Sequence, residues 1–355
     1  MYGEHDYEVL TSSREGLQRQ EDHFGSKQRH DTDGYNIIPF GYCTYRNRSD
    51  DGKFAFNINT ISEKAIVSKF YPVFRFTNAN STFMAEFLNS SPRVKKKLSV
   101  LAVGTSQVVL SFEALKAAKF DLPCKDEQDK IAAFLECLNT RIENQRTLVV
   151  ALKKYKRGVV DGIFSRKLNF SYPQTWAELE ISELFMPISD KGYSDKIVLT
   201  IVQGEGTMPR DSVDRRIAYD KSTISSYKRV LPNDFILHLR SFEGGLEIVN
   251  EEGVVSPAYT ILRARNEIIP LFFYTFFRSY WFINSKLRIS VEGIRDGKSI
   301  NLNTFWHIKV PVPSIEEQRH ISALISSIDN RIKIAEFEYN RLLQIRVGLM
   351  QQLFI

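Results

Sequence analysis

Cysteine is scarce in this chain of 355 residues: three in all, Cys43, Cys124 and Cys137. An odd count with no CxxC pair offers no disulfide framework, and the thiols read as reduced, as in a cytoplasmic protein. The six histidines stand singly, with His5, His23 and His30 in polar sequence. The short, paired ligand spacing of a zinc site is therefore missing. Long apolar runs are missing too. The most apolar stretch, 268–283, is interrupted by Arg278 and is too short to span a bilayer. Pro270 at its start suits the first turn of a buried helix. The Met1 end carries no charged-then-apolar leader. Disulfide scaffold, metal centre and membrane roles are all disfavoured.

What is present is core-forming material. The chain is 43% apolar and 12% aromatic, too rich for disorder, and its length has room for two or three domains. A net charge of +6 and a pI near 9.0 fit a polyanionic partner, though only weakly.

The strongest signal is internal. Shifting 122–164 by 190 positions lays it without a gap on 312–354, and ten of the 43 positions are identical. They include Pro123/Pro313, Glu127/Glu317, Gln128/Gln318, Arg141/Arg331, Gly158/Gly348 and Phe164/Phe354. Chance gives about two or three, so one supersecondary unit is used twice. A molecule in two equivalent halves suits a target in two halves, and duplex DNA is the obvious one.

Each copy opens with an extended segment: alternating Phe120/Leu122 and Val310/Val312 predict a strand, ended by Pro123 or Pro313. A helix follows, with Asp126, Glu127, Glu316 and Glu317 at its positive end and basic residues late in it. The apolar spacing predicts a heptad seam. In the first copy it runs through Ile131, Leu138, Gln145, Leu152 and Val159, with Phe134, Arg141, Leu148 and Tyr155 offset by three. The second copy has Ile321, Ile328, Ala335, Leu342 and Leu349, with Leu324, Arg331, Glu338 and Ile345. Sustained heptads argue a coiled coil, and roughly 38 residues make a rod of about 57 Å. A lone rod cannot bury its stripe, so the two are expected to pack on each other, antiparallel, over 127–166 and 315–354.

The region between the helices reads as mixed strands and helix. A hairpin is predicted around Pro232, Asn233 and Asp234, and another around 250–253. The first half echoes this order, with Val67/Val255, Ser68/Ser256, Tyr71/Tyr259 and Arg75/Arg263 at one offset. One difference stands out: the second half has about 20 residues, including Trp176, before Val198, whereas the matching Val9 comes almost at once after Met1. The first globular region is therefore expected to lack its opening segment, and the Trp176 segment to brace the strand that precedes Arg240.

The two strings PCKDEQDKIAAFLECLNTRI and PVPSIEEQRHISALISSIDNRI, each following a variable globular region, resemble the specificity subunit of type I restriction–modification systems. The stretches WAELEISEL and EGVVSPAYTIL are similar to that family's target recognition domains. The resemblance covers essentially the whole chain. It implies an α+β fold with two pseudo-symmetric target recognition domains separated by a long antiparallel two-helix coiled coil. The first target recognition domain is placed at 1–123, the first spacer helix at 124–168, the second domain at 169–313 and the second spacer helix at 314–355. The implied role is non-catalytic reading of a bipartite double-stranded DNA sequence, with two methyltransferase subunits and the restriction subunits as partners. The other reading left open is a truncated coiled-coil adaptor that binds methyltransferase without competent DNA recognition.

Enzyme motifs do not contradict this. No NPPY-like tetrapeptide and no Walker A string occur, and the lone GxG at Gly204-Glu205-Gly206 lacks the context of a cofactor loop. The resemblance assigns S-adenosylmethionine, ATP and Mg to partner subunits and none to this chain. DNA contacts are expected from Arg46, Arg48, Lys53 and Lys96 in the first half, and from Arg210, Arg215, Arg216, Lys228, Arg240, Ser241, Arg295 and Lys298 in the second. Loops carrying such residues can approach phosphates and base edges. The polar identities Glu127, Gln128 and Arg141, repeated as Glu317, Gln318 and Arg331, are the expected methyltransferase-binding surface, because helix solvation alone does not demand them.

Overall fold

The computed structural model describes residues 7–25, 32–168, 175–213, 221–239, 243–293 and 298–354. The chain divides into two compact units, Met1–Arg146 with Phe337–Ile355, and Thr147–Glu336. The division falls inside the long helices Lys125–Phe164 and Ile315–Leu353, so each unit holds a globular region and a stretch of both helices.

The helix stretches run antiparallel within each unit. In the first, Arg346 donates to Asn139 at 2.8 Å and to Glu86 at 2.7 Å, while Arg141 meets Glu338 at 3.4 Å. In the second, Lys153 pairs with Glu336 at 2.7 Å and Lys156 with Asp329 at 2.6 Å. The seam keeps the seven-residue step but not the expected companion row. Phe134, Leu148 and Tyr155 are 51%, 45% and 58% exposed, and Arg141, Arg331 and Ile345 are exposed with them. The companion row lies four residues on, at Leu135, Ile142, Val149 and Ile163, and at Ile325 and Ile332 in the second helix. Arg141 and Arg331 thus stand outside the seam, where a charge costs little.

In the first unit the strands order as Gly16–Arg19, Glu8–Ser13, Ala65–Val67, Asn36–Ile37 in one sheet, and Phe56–Ile58, Cys43–Tyr45, Val73–Phe74 in another. In the second unit Phe235–Leu237 takes the place of Cys43–Tyr45, flanked by Glu247–Ile248 and Thr260–Ala264. That sheet gains Phe185–Ile188 on its outer edge, paired with Thr260–Ala264. The duplication seen in sequence is thus also a duplication of strand order.

Two local expectations are corrected. Residues 120–122 form no strand, whereas Lys309–Val312 pairs with Ala177–Glu180. An extended segment becomes a strand only with a neighbour to satisfy its amides, and no such neighbour is described beside 120–122. The two predicted hairpins are instead one ribbon. Lys228–Val230 pairs with Gly253–Val255, and Phe235–Leu237 continues in the same register against Glu247–Ile248. Backbone bonds from Asn233 to Val249 and from Val249 to Asp234 carry the ladder across the Pro232 turn, where Asn233 sits at φ 72°. Finally, the Trp176 segment meets the strand before Arg240 through Phe185, whose ring lies 5.6 Å from that of Phe235, while the Trp176 indole N–H donates to Glu317 at 2.9 Å, at the start of the second long helix.

The second unit's core is built on phenylalanine. Phe272, Phe273, Phe276 and Phe277 of the short helix Pro270–Phe277 are all fully buried, packed with Phe164, Phe185 and Phe235. Their rings meet at 5.0–5.6 Å, mostly edge to face, the arrangement their quadrupoles favour.

Candidate functional site

The ribbon strands are joined over 46–55 in the first unit, which includes the short strand Arg48–Ser49, and in the second by a segment of which 238–239 and 243–246 are described. These connections carry the residues that sequence singled out most strongly. In the first unit Arg46, Arg48 and Lys53 line one cavity of about 570 Å³, together with Arg14, His23 and Tyr71. A second wall is the tip of the hairpin formed by Glu8–Ser13 and Gly16–Arg19.

Asp51 organises the wall. It accepts from the Ser49 hydroxyl at 2.9 Å and the Lys53 N–H at 3.2 Å, lies 3.8 Å from the Lys53 ammonium, and pairs with Arg14. Ser49 above all, then Lys53 and Arg14, holds its carboxyl below the usual aspartate value. Arg48 is held differently. Its guanidinium lies 5.2 Å over the ring of Phe70, which is 51% exposed. The side chains of Arg46 and Arg48 have no hydrogen bond or ion pair among the described residues. The cavity lining thus carries four cations, Arg14, Arg46, Arg48 and Lys53, against two carboxylates, Glu15 and Asp50, while Asp51 is paired with Arg14 and Lys53.

Lys96 stands apart, exposed on the helix Pro92–Leu101 and outside the cavity lining. In the second unit Lys298 is exposed, and Arg210 is half-buried at the start of a 3-10 turn. Lys228 is turned inward: its ammonium donates to the Tyr259 carbonyl at 2.6 Å, and burial, then Lys191, pulls its pKa down. That donation engages its ammonium within the second unit. Arg215, Arg216, Arg240, Ser241 and Arg295 lie outside the described residues.

The expected partner-binding residues divide. Gln128 is buried, accepts from the Asn80 N–H at 3.0 Å and donates to the Pro123 carbonyl at 2.9 Å. Gln318 repeats the arrangement, accepting from the Ile269 N–H at 3.0 Å and donating to Pro313 at 3.0 Å. Asn80 and Ile269 are the N-caps of equivalent helices, Ser81–Ser90 and Pro270–Phe277. The glutamine is therefore a clamp between a long helix and the helix before it. Glu317 is also buried, against Trp176. Burial takes Gln128, Glu317 and Gln318 out of any partner surface; Glu127, Arg141 and Arg331 remain exposed.

Sequence reasoning missed the anchor of the second unit's hairpin, Leu199–Val202 with Gly206–Pro209. Buried Glu247 accepts from the Gly204 N–H at the hairpin tip at 3.0 Å and from the Tyr274 hydroxyl at 3.0 Å, and pairs with Arg278. Burial pushes the Tyr274 hydroxyl up to about 12, so it stays a donor. Asn250 holds the other flank, donating to the Glu205 carbonyl at 2.7 Å. No local motif marks Glu247; only its equivalence to the ribbon strand of the first unit could have drawn notice.

Comparison with known proteins is consistent with this geometry. The family described as the type I restriction modification DNA specificity domain matches residues 3–152 and 173–344, one match for each half. The chain belongs to this family. Two relatives come from Methanocaldococcus jannaschii: the putative type I restriction enzyme MjaX specificity subunit and the type I restriction enzyme MjaVIII specificity subunit. Each is 24% identical, over 224 and 215 residues, covering 58% of this chain and 51% and 47% of theirs. The chain spans about half the length of these curated relatives. The fold is similar to that of a type I restriction–modification S subunit from M. genitalium, with a TM-score of 0.54 and 19% identity over 99% of this chain and 89% of that one. A chain from a solved type I assembly, described for its complex assembly and conformational transition, has a TM-score of 0.56 and 16% identity, over 90% and 83%.

Proposed function

We infer that this specificity-domain protein is the non-catalytic DNA-reading subunit of a type I restriction–modification complex. The observation that carries the reading is the repeated ribbon. Both units build the same ribbon beside the same hairpin, and in the first unit three sequence-nominated cations converge on one cavity. Each loop reads one half of a bipartite duplex, and the two long helices serve as the spacer between half-sites. Two methyltransferase subunits dock on the helices, around Glu127, Arg141 and Arg331, and restriction subunits join them in the cytoplasm. S-adenosylmethionine, ATP and Mg belong to those partners. No helix among the described residues is long and apolar enough to cross a membrane.

The test is selection of duplexes from a random library by the full chain assembled with its methyltransferase. A bipartite consensus is the expected product, with affinity that falls steeply as salt rises because phosphate neutralisation releases counterions. Lys96→Ala then weakens all sequences alike, whereas Arg240→Ala relaxes the preference at one position of one half-site. Selection of no consensus contradicts the function.

A further inference from the structure

The two ribbon loops share a short sequence. Arg48-Ser49-Asp50-Asp51-Gly52 and Arg240-Ser241-Phe242-Glu243-Gly244 agree in arginine, serine, acid and glycine. They stand 192 residues apart, the offset that also carries Cys43 of the first central strand onto Phe235 of the second. Chain insertions have shifted the repeat register elsewhere, so this agreement follows the ribbon itself. The hairpin tip abuts the loop in both units. Arg14 pairs with Asp51 in the first, and in the second a Cβ on Gly244 would meet the Gln203 side chain at 2.2 Å.

Within the first loop Arg48 has an unusual setting. Ser49 beside it is buried and bonds Asp51, and backbone pairing of Arg48 with Val109 fixes the chain on its other side. Among the described residues the guanidinium makes no hydrogen bond or ion pair and lies 5.2 Å over the ring of Phe70. A cation–π contact steadies the guanidinium but satisfies none of its N–H donors. An arginine so held, lining a cavity where Arg14, Arg46 and Lys53 outnumber Glu15 and Asp50, is ready for a ligand with two acceptors in one plane. On duplex DNA that ligand is guanine, whose O6 and N7 present this pair in the major groove.

Resting on the DNA-reading function above, we propose that Arg48 is a specificity-determining residue that reads a guanine of the first half-site, positioned by Phe70 and by the Ser49–Asp51 brace. Arg46 and Lys53, at the rim of the same cavity, contact phosphate.

The experiment is duplex selection, followed by binding to a panel of single-base variants of the selected site, using the full chain with its methyltransferase. Arg48→Ala removes the guanine preference at one position of one half-site, by roughly five- to a hundred-fold, and leaves the other half-site unchanged. Arg48→Lys keeps the charge but loses the fork, and gives nearly the same relaxed profile. Phe70→Leu keeps the donors but frees the plane, and gives a partial loss at that same position. Lys53→Ala lowers affinity for every sequence and reduces the salt slope by about one. Thermal unfolding of each variant checks that the unit is intact, and Arg48→Lys keeps the test open if Arg48→Ala does not fold. An unchanged preference profile for both Arg48 variants overturns the assignment while the DNA-reading function stands, and so does a uniform loss across all sequences. A wild-type complex that selects no consensus overturns the function and this assignment together.

Discussion

Single residues carry two kinds of duty in this protein, and their burial separates them. Gln128 and Gln318 each satisfy the backbone amide of a residue that caps a helix, Asn80 and Ile269. Gln318→Ala should cost about 1–3 kcal/mol, the usual penalty for a buried donor left unmet, read as a shift in the denaturant midpoint. An unchanged midpoint would contradict the clamp. Asp51 is legible through pH. Its folded pKa is depressed, so the contacts it makes are fully present above the ordinary aspartate value and fade only as pH falls through the lower, folded one. Carboxyl NMR should find Asp51 titrating below a free aspartate, and Ser49→Ala should move it upward. The repeated Glu-Gln was visible in the sequence, but its role was not, because the amides it meets lie 48 and 49 residues away.

At the scale of elements, the seven-residue step was legible and its phase was not. Both Phe134 and Leu135 are apolar, so a period alone cannot choose between them. The repeated arginines could have done so, since Arg141 and Arg331 fall in the row offset by three, while Ile142 and Ile332 fall in the row offset by four. Leu135→Ala should accordingly cost about 2–5 kcal/mol, and Phe134→Ala well under 1 kcal/mol, in urea unfolding monitored by helix signal. Equal costs would return the seam to the other row. The ribbon was misread for a related reason. Turn residues at Pro232–Asp234 are genuine, but Asn233 absorbs the bend with a positive φ and the ladder resumes beyond it. Local signals mark where a chain bends, and only the partner strand decides whether it reverses there.

For the molecule as a whole, the duplication was the feature most fully legible, because it is written in identities rather than in tertiary contacts. The first unit's cavity was legible only in part: Arg46, Arg48 and Lys53 could be named, but the stacking on Phe70 and the pairing of Arg14 with Asp51 join residues 22 and 37 positions apart. Partner binding follows from what remains exposed. Reversing the charge of Arg141 and Arg331 together should abolish co-purification of the methyltransferase while thermal unfolding stays within about 1 kcal/mol of wild type, since both lie outside the seam. Retained co-purification would move the docking surface elsewhere.

As a DNA-reading subunit, this chain would supply the sequence read by a modification complex. Genome-wide adenine methylation, mapped in a strain with the gene and in the same strain without it, tests that most directly. One bipartite motif is expected to be methylated on both strands when the gene is present and unmethylated when it is absent. A methylation map that does not change with the gene would contradict it.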